Sequence, residues 1–193
     1  GNNGADGLAV ARLLFADGYQ NIFVYLVAVG SSFSDEYLSN VQRLKSTGVP
    51  INEVFATQDF TKVDIIIDAI LGAGLNKPLN KDVKSLIAGI NGIRGKVIAV
   101  DVPTGLVSEG EIANNYEGIR SDLTITFQQP KISFFFPESK IAQQRFKVVD
   151  IGLDNRFIAA QNTCFKIIEA TDVLSIIKPR LNFSHKGTYG HAI

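Results

Sequence analysis

One pattern occurs twice in this chain. A run of aliphatic, largely β-branched residues closes on an aspartate, and a glycine-containing loop follows. Val63-Asp64-Ile65-Ile66-Ile67 ends at Asp68 before Ala69-Ile70-Leu71-Gly72-Ala73-Gly74-Leu75. Lys96-Val97-Ile98-Ala99-Val100 ends at Asp101 before Val102-Pro103-Thr104-Gly105. Short apolar runs of this kind read as strands covered on both faces, which is the habit of parallel sheets. Helical segments alternate with them. Ser34-Asp35-Glu36 opens one, with Tyr37, Leu38, Val41 and Leu44 at helical spacing until Gly48-Val49-Pro50. Residues 80–91 place Val83, Leu86, Ile87 and Ile90 on one face of another. Further strands are expected over Ile22–Ala28, Leu123–Phe127 and Phe146–Ile151. The alternation predicts an α/β domain: a Rossmann-like, doubly wound, mostly parallel sheet with helices on both faces. Such sheets bind ligands at the carboxyl ends of their strands, where Asp68 and Asp101 both stand.

The chain opens on Gly1-Asn2-Asn3-Gly4-Ala5-Asp6-Gly7, read as a glycine-rich loop feeding a helix at Leu8. Glycines permit left-handed backbone and close approach to a ligand, and the helix start offers free N–H groups to an anion. The plainer reading is a strand-to-helix turn capped by Asp6. The spacing fits neither the dinucleotide fingerprint nor a P-loop. A strand is expected before this loop, and with it the first loop joins Asp68 and Asp101 along one sheet edge. Asn and Thr104 oxygens with carboxylates form a hard-donor set suited to a hard cation. Gly72-Ala73-Gly74 can turn backbone N–H groups toward a phosphate. A shielded carboxylate can carry protons. For each aspartate the alternative is a helix cap. The expected ligand is a phosphate-bearing metabolite.

Composition narrows the classes. Formal net charge is zero, which argues against nucleic acid or a polybasic membrane contact as partner. The apolar stretch Ile22–Val29 is too short to span a bilayer. The single cysteine, Cys164, fits a reducing, cytoplasmic compartment and is expected as a buried small hydrophobe in a strand-like run. The two histidines, His185 and His191, are C-terminal, so acid–base chemistry upstream falls to carboxylates and a His-rich zinc site is excluded there. Methionine is absent, and a piece of a longer protein is expected.

Taken in order, the motifs resemble the NAD(P)H-hydrate epimerase family. Its pattern is G-N-N-G-G-D-G, then D-A-x-x-G-x-G-L-x-x-P, then D-x-P-S/T-G-L, a T-x-T-F…P-K segment and a closing D-I-G. These match Gly1 to Gly7, Asp68 to Pro78, Asp101 to Leu106, Thr124-Ile125-Thr126-Phe127 with Pro130-Lys131, and Asp150-Ile151-Gly152. The resemblance implies epimerisation of the R and S hydrates of NADH and NADPH at nicotinamide C6. It implies a substrate site of Asn2, Asn3, Gly4, Ala5 and Asp6 with Gly72, Ala73, Gly74, Leu75, Asn76, Lys77 and Pro78 around the phosphates. Asp101 would contact the substrate as the catalytic acid–base. A potassium ion would be held by Asn3, Asp68 and Thr104. Ala5 stands where the family has glycine, which is tolerated at negative φ. Homo-oligomers are implied, and the apolar Ile132-Ser133-Phe134-Phe135-Phe136-Pro137-Glu138 is either an oligomer contact or a core or covering loop.

The C-terminal stretch is read as a second domain entered late. Thr171-Asp172 caps a short helix, Val173-Leu174-Ser175-Ile176-Ile177, before Pro179. His185-Lys186-Gly187-Thr188-Tyr189-Gly190-His191-Ala192 is either a glycine turn into a strand or, by resemblance, the entry of a ribokinase-like, ADP- or ATP-dependent NAD(P)H-hydrate dehydratase. The expected division is an epimerase domain over 1–160, then a linker and dehydratase start over 161–193. ADP or ATP would serve only that second domain. Two other functions fit the residues less closely: a catalytically silent nucleotide- or partner-binding module, and an ordinary dehydrogenase.

Overall fold

A computed structural model of the chain describes residues 2–29, 33–53, 60, 62–75, 77–177 and 179–190. It divides into two compact units, Gly1–Gly152 and Leu153–Ile193.

The first unit is an α/β, Rossmann-like arrangement of parallel sheets flanked by helices. Its elements run α1 (Asn2–Ala16), β1 (Val24–Leu26), α2 (Asp35–Lys45), β2 (Ile51–Glu53), β3 (Ile65–Asp68), α3 (Lys81–Asn91), β4 (Lys96–Val100), β5 (Leu123–Phe127) and β6 (Phe146–Val149). The helix starts are set locally. Ser34 accepts the Tyr37 N–H at 3.3 Å, and Asn80 Oδ1 accepts the Val83 N–H at 2.9 Å, so each side chain satisfies a donor the helix leaves free. Val83, Leu86, Ile87 and Ile90 are all buried, as their spacing predicts, against Val97 and Ile119.

Every described strand pairing is parallel, but the strands form two sheets rather than the single one expected. β1 pairs with β2 in the register Val24↔Ile51. The larger sheet has the order β3-β4-β5-β6, with Ile66↔Val97, Ala99↔Thr124 and Thr126↔Val148. Among the described residues no ladder joins the two. Helix α1 bridges them instead. Leu8 and Ala11 pack over Val24, Leu26 and Ile51, while the start of the helix reaches the end of β3.

This arrangement corrects the reading of β3 as covered on both faces. As an edge strand it leaves Ile65 and Ile67 exposed, and only Asp68 at its end is buried. β1 and β6 are shorter than the apolar runs suggested, and β2 lies in a segment the periodicity did not distinguish. The segment 132–141 forms two 3-10 turns, Ile132–Phe135 and Pro137–Ile141. Phe134 is buried there with Val102, Leu106 and Ala142, whereas Phe135 and Phe136 are exposed.

The second unit holds α4 (Asn155–Ala159), α5 (Ala170–Ile176) and a 3-10 turn at Lys186–Thr188. Asp154 caps α4 by accepting the Arg156 N–H at 2.7 Å. Asp172 sits within the first turn of α5 and accepts the Glu169 N–H at 2.8 Å, so the cap falls at Glu169. Cys164 is exposed and in no strand, contrary to expectation, because this unit contains no sheet among its described residues to bury the run 163–168. No strand follows Gly187 within residues 188–190, and His191 and Ala192 lie outside the described residues. No helix among the described residues is long and apolar enough to cross a membrane.

Candidate active site at the carboxyl ends of β3 and β4

The first correction concerns Gly1 to Gly7. From Asn2 onward this stretch is helix, not loop, so Asn2, Asn3, Gly4, Ala5 and Asp6 occupy the first turns of α1. Ala5 is buried in helical backbone, where an alanine costs nothing relative to glycine. The glycines are needed for closeness rather than for left-handed backbone. A Cβ on Gly7 would stand 2.6 Å from the Ala69 Cβ, so its absence lets α1 press onto the loop after β3. A Cβ on Gly72 would come within 3.1 Å of Asn3 Cγ, which brings that loop back against the helix start.

Asp68 is 2% exposed. Its Oδ1 accepts the Thr104 hydroxyl at 2.7 Å and the Ile70 N–H at 3.2 Å, and its Oδ2 accepts the Thr104 N–H at 2.8 Å. The Thr104 hydroxyl in turn accepts the Leu71 N–H at 3.0 Å, so the loops after β3 and β4 are laced together. Burial pushes the Asp68 carboxyl up to about 6 against the opposing pull of these bonds. Tyr116, nearby, donates to the Ile119 carbonyl at 2.8 Å; burial and then the Asp68 charge push its hydroxyl upward. The Asn3 amide is buried and neither its oxygen nor its nitrogen has a partner among the described residues. Buried polar atoms without partners are uncommon enough to call for an explanation.

Asp101 is built differently. Its φ is 63°, one of two positive values at non-glycine residues among those described, the other being Gln128 at 58°. Left-handed backbone at such residues costs of order 1–3 kcal/mol and concentrates at functional sites. Three donors converge on one oxygen, Oδ1: Lys131 Nζ at 2.8 Å, the Thr126 hydroxyl at 3.2 Å and the Phe127 N–H at 3.3 Å. Asp6, on α1, is near enough to feel the charge of this carboxylate. Its own carboxyl is raised above the ordinary range, by burial first and the Asp101 charge second.

The remaining sequence-predicted residues surround these groups. Gly72 to Pro78 form a loop with Ala73, Gly74, Lys77 and Pro78 exposed and Leu75 half-buried; Asn76 lies outside the described residues. The Ser108 hydroxyl anchors that loop by donating to the Ala73 carbonyl at 3.1 Å. Asn2 is exposed at the helix start. Sequence reasoning passed over Ser108, Tyr116, Thr126 and the role of Lys131. Thr126 and Lys131 had a signal, since both stand in the T-x-T-F…P-K segment singled out above; Ser108 and Tyr116 had none. Two open depressions of about 320 and 430 Å³, lined by Arg120, Lys140, Gln143 and Arg145 among others, lie at the opposite, amino-terminal edge of β5 and β6. No cluster of three or more His, Cys, Asp or Glu able to hold a metal occurs among the described residues.

Residues 1–133 match the family model described as "YjeF-related protein N-terminus". The chain is 33% identical over 156 residues to an NAD(P)H-hydrate epimerase of Lentilactobacillus buchneri, covering 79% of this chain and 69% of that protein. It is 38% identical over 133 residues to an NAD(P)H-hydrate epimerase of Leuconostoc mesenteroides, covering 68% and 58%. Across its whole length it is 31% identical to a bifunctional NAD(P)H-hydrate repair enzyme of Coxiella burnetii, and there it spans 39% of the relative's length. The matched segment contains both strand-end aspartates and Lys131, and the chain belongs to the family of the YjeF-related protein N-terminus.

Proposed function

We propose that this chain interconverts the R and S hydrates of NADH and NADPH at C6 of the reduced nicotinamide ring. The observation that carries the reading is Asp101: a carboxylate at a strand end, in left-handed backbone, tied through one oxygen, with a second carboxyl, Asp6, near enough to feel its charge. Inversion at C6 requires the C–O bond to break and re-form on the other face. The hydroxyl takes a proton as it leaves as water, and the ring nitrogen lone pair supports the cation left behind. Water then adds to the opposite face and gives up a proton, so no electrons are gained or lost. A positioned carboxyl group that takes up a solvent proton, gives it to the leaving hydroxyl and recovers one from the incoming water is all the chemistry demands. Asp101 is that group. Asn2 to Asp6 hold the substrate beside it, and Gly72 to Pro78 wrap its phosphates.

The donors at the neighbouring strand end fit a potassium ion. Asn3 has a buried carbonyl oxygen with no partner among the described residues, Asp68 a buried carboxylate bonded only by uncharged donors, and Thr104 a hydroxyl between Asp68 and Leu71. One carboxylate among neutral oxygens suits a hard cation of low charge. The ion would supply positive charge at this edge, stabilising ionised Asp68 and the substrate's phosphates. The longer relatives are named bifunctional repair enzymes; in a longer parent protein the second activity would be a dehydratase, served by ADP or ATP, and this reaction would use neither. A cytoplasmic location and a homo-oligomer using exposed Phe135 and Phe136 complete the proposal.

The test adds the full-length protein to purified R-NADPH hydrate in potassium buffer without ADP or ATP and follows the S epimer by chromatography. Equilibration far above the spontaneous rate, abolished in Asp101→Asn, is the expected result. Binding of the hydrate without acceleration would reduce the chain to a binding module.

A further inference from the structure

We infer that Lys131 is the positioning residue for Asp101: it fixes the carboxylate through Oδ1 and leaves Oδ2 as the oxygen that meets the substrate. The inference rests on the epimerase reading and names a residue that reading does not use. Lys131 Nζ lies 2.8 Å from Asp101 Oδ1, with the lysine side chain 18% exposed and the aspartate 14%. An ion pair this sheltered is screened far less than a surface pair. Its geometry is also constrained from the lysine's side. Nζ reaches the Gln129 carbonyl at 3.3 Å and the Phe127 carbonyl at 3.5 Å. Those carbonyls belong to the turn made by left-handed Gln128, whose successor Gln129 donates to Phe127 O at 2.6 Å. The turn brings the chain back so that Lys131 points at the end of β4.

The carboxylate is thereby loaded asymmetrically. Thr126, the Phe127 N–H and Lys131 all go to Oδ1, and Oδ2 accepts no bond from the described residues. A carboxylate anchored on one oxygen cannot swing, and its other oxygen keeps its lone pairs for an incoming proton. The charged groups near Asp101 are Lys131 from the turn after β5 and Asp6 from α1; β5 contributes only the neutral Thr126 hydroxyl and the Phe127 N–H.

The experiment measures steady-state epimerisation of R-NADPH hydrate by the full-length protein and its Lys131→Met and Lys131→Arg variants, with thermal midpoints recorded alongside. Lys131→Met should lower kcat by about 100-fold with KM within about two-fold, as expected when a reacting group is misplaced. Lys131→Arg, which restores the cation, should recover most of that loss. A rise in KM at unchanged kcat would make Lys131 a phosphate ligand and overturn the inference. So would a kcat in Lys131→Met equal to that of the unmodified protein. Inactivity of the unmodified protein would instead sink the epimerase reading itself.

Discussion

Asp68 and Asp101 end neighbouring parallel strands after near-identical apolar runs, yet their surroundings are opposed. Asp68 is sealed by uncharged donors on both oxygens, and burial raises its carboxyl to about 6. Asp101 sits in strained backbone, meets an ammonium on one oxygen and leaves the other open. The first carboxyl meets no charged partner among the described residues; the second already has one and keeps an oxygen without a bond from them. The difference arises one strand further along. Thr104 folds back onto Asp68 from the loop after β4, and Lys131 folds back onto Asp101 from the turn after β5. Each strand-end carboxylate is thus defined by the loop of the next strand, which is how a parallel sheet gives equal sequence signatures unequal chemistry.

The substitution that separates the two most widely is Asp101→Asn. It keeps an acceptor for Thr126 and Phe127 but removes the group that carries the proton. Loss of a general acid–base costs about 10²–10⁴ in rate, so epimerisation should fall to near the spontaneous level, and the ammonium of Lys131 left without its counter-charge should lower the thermal midpoint without preventing folding. A variant that stays active would break the comparison by making Asp101 a structural carboxylate like Asp68.

Asp68 should declare itself through pH. Its carboxyl is raised from 3.8 to about 6 in the folded protein. Between those values the native state binds more protons than the unfolded state, so stability falls as pH rises. The contribution is fully present below pH 3.8 and lost as pH rises through about 6, amounting to about 3 kcal/mol. In potassium-free buffer the denaturation midpoint should decline across that window. Potassium chloride should raise the midpoint more at pH 8 than at pH 5 when compared with choline chloride at equal ionic strength. An equal effect of the two salts at pH 8 would remove the cation from this edge.

The packing that brings α1 to both carboxylates can be tested without touching either. Gly7→Ala places a methyl 2.6 Å from Ala69 Cβ and should cost about 1–3 kcal/mol. Paired with Ala69→Gly, the same change should recover most of the loss in a double-mutant cycle. Additive costs would show that the contact does not set the helix against the loop.

What could be read from the sequence follows the reach of the interactions involved. The buried face of α3 and the ends of β3 and β4 were legible because each is set by residues within a turn or a strand of one another. The start of α1 was misread, since two glycines and two asparagines argue locally for a loop. The helix wins because Gly4 and Gly7 pack against Tyr37 and Ala69, distant in sequence. β3 was read as covered on both faces because an apolar run does not say whether its strand is central or an edge. The pairing of Lys131 with Asp101 was invisible for the same reason: thirty positions separate them, and only the order of β4 and β5 makes them neighbours.

The smallest effect belongs to a third carboxylate, which sharpens the contrast from the other end of the sheet. Asp122 precedes β5, accepts the Val97 N–H at 2.9 Å and pairs with Lys96 at 2.7 Å, whose side chain is 70% exposed. The Lys96 hydrogen bond, then the Val97 N–H, hold its carboxyl below the ordinary range. The sign is therefore the reverse of that at Asp68: its contribution is present above pH 3.8 and lost as pH falls through the lowered folded value. Because the pair is open to water, Lys96→Ala should cost about 1 kcal/mol or less, and less still in high salt. Urea midpoints at pH 3 and pH 7 would measure it, with the gap between the variant and the unmodified protein closing at the acid end. Epimerisation should be unchanged, because this carboxylate stands at the amino-terminal edge, across the whole length of the strands from Asp68 and Asp101.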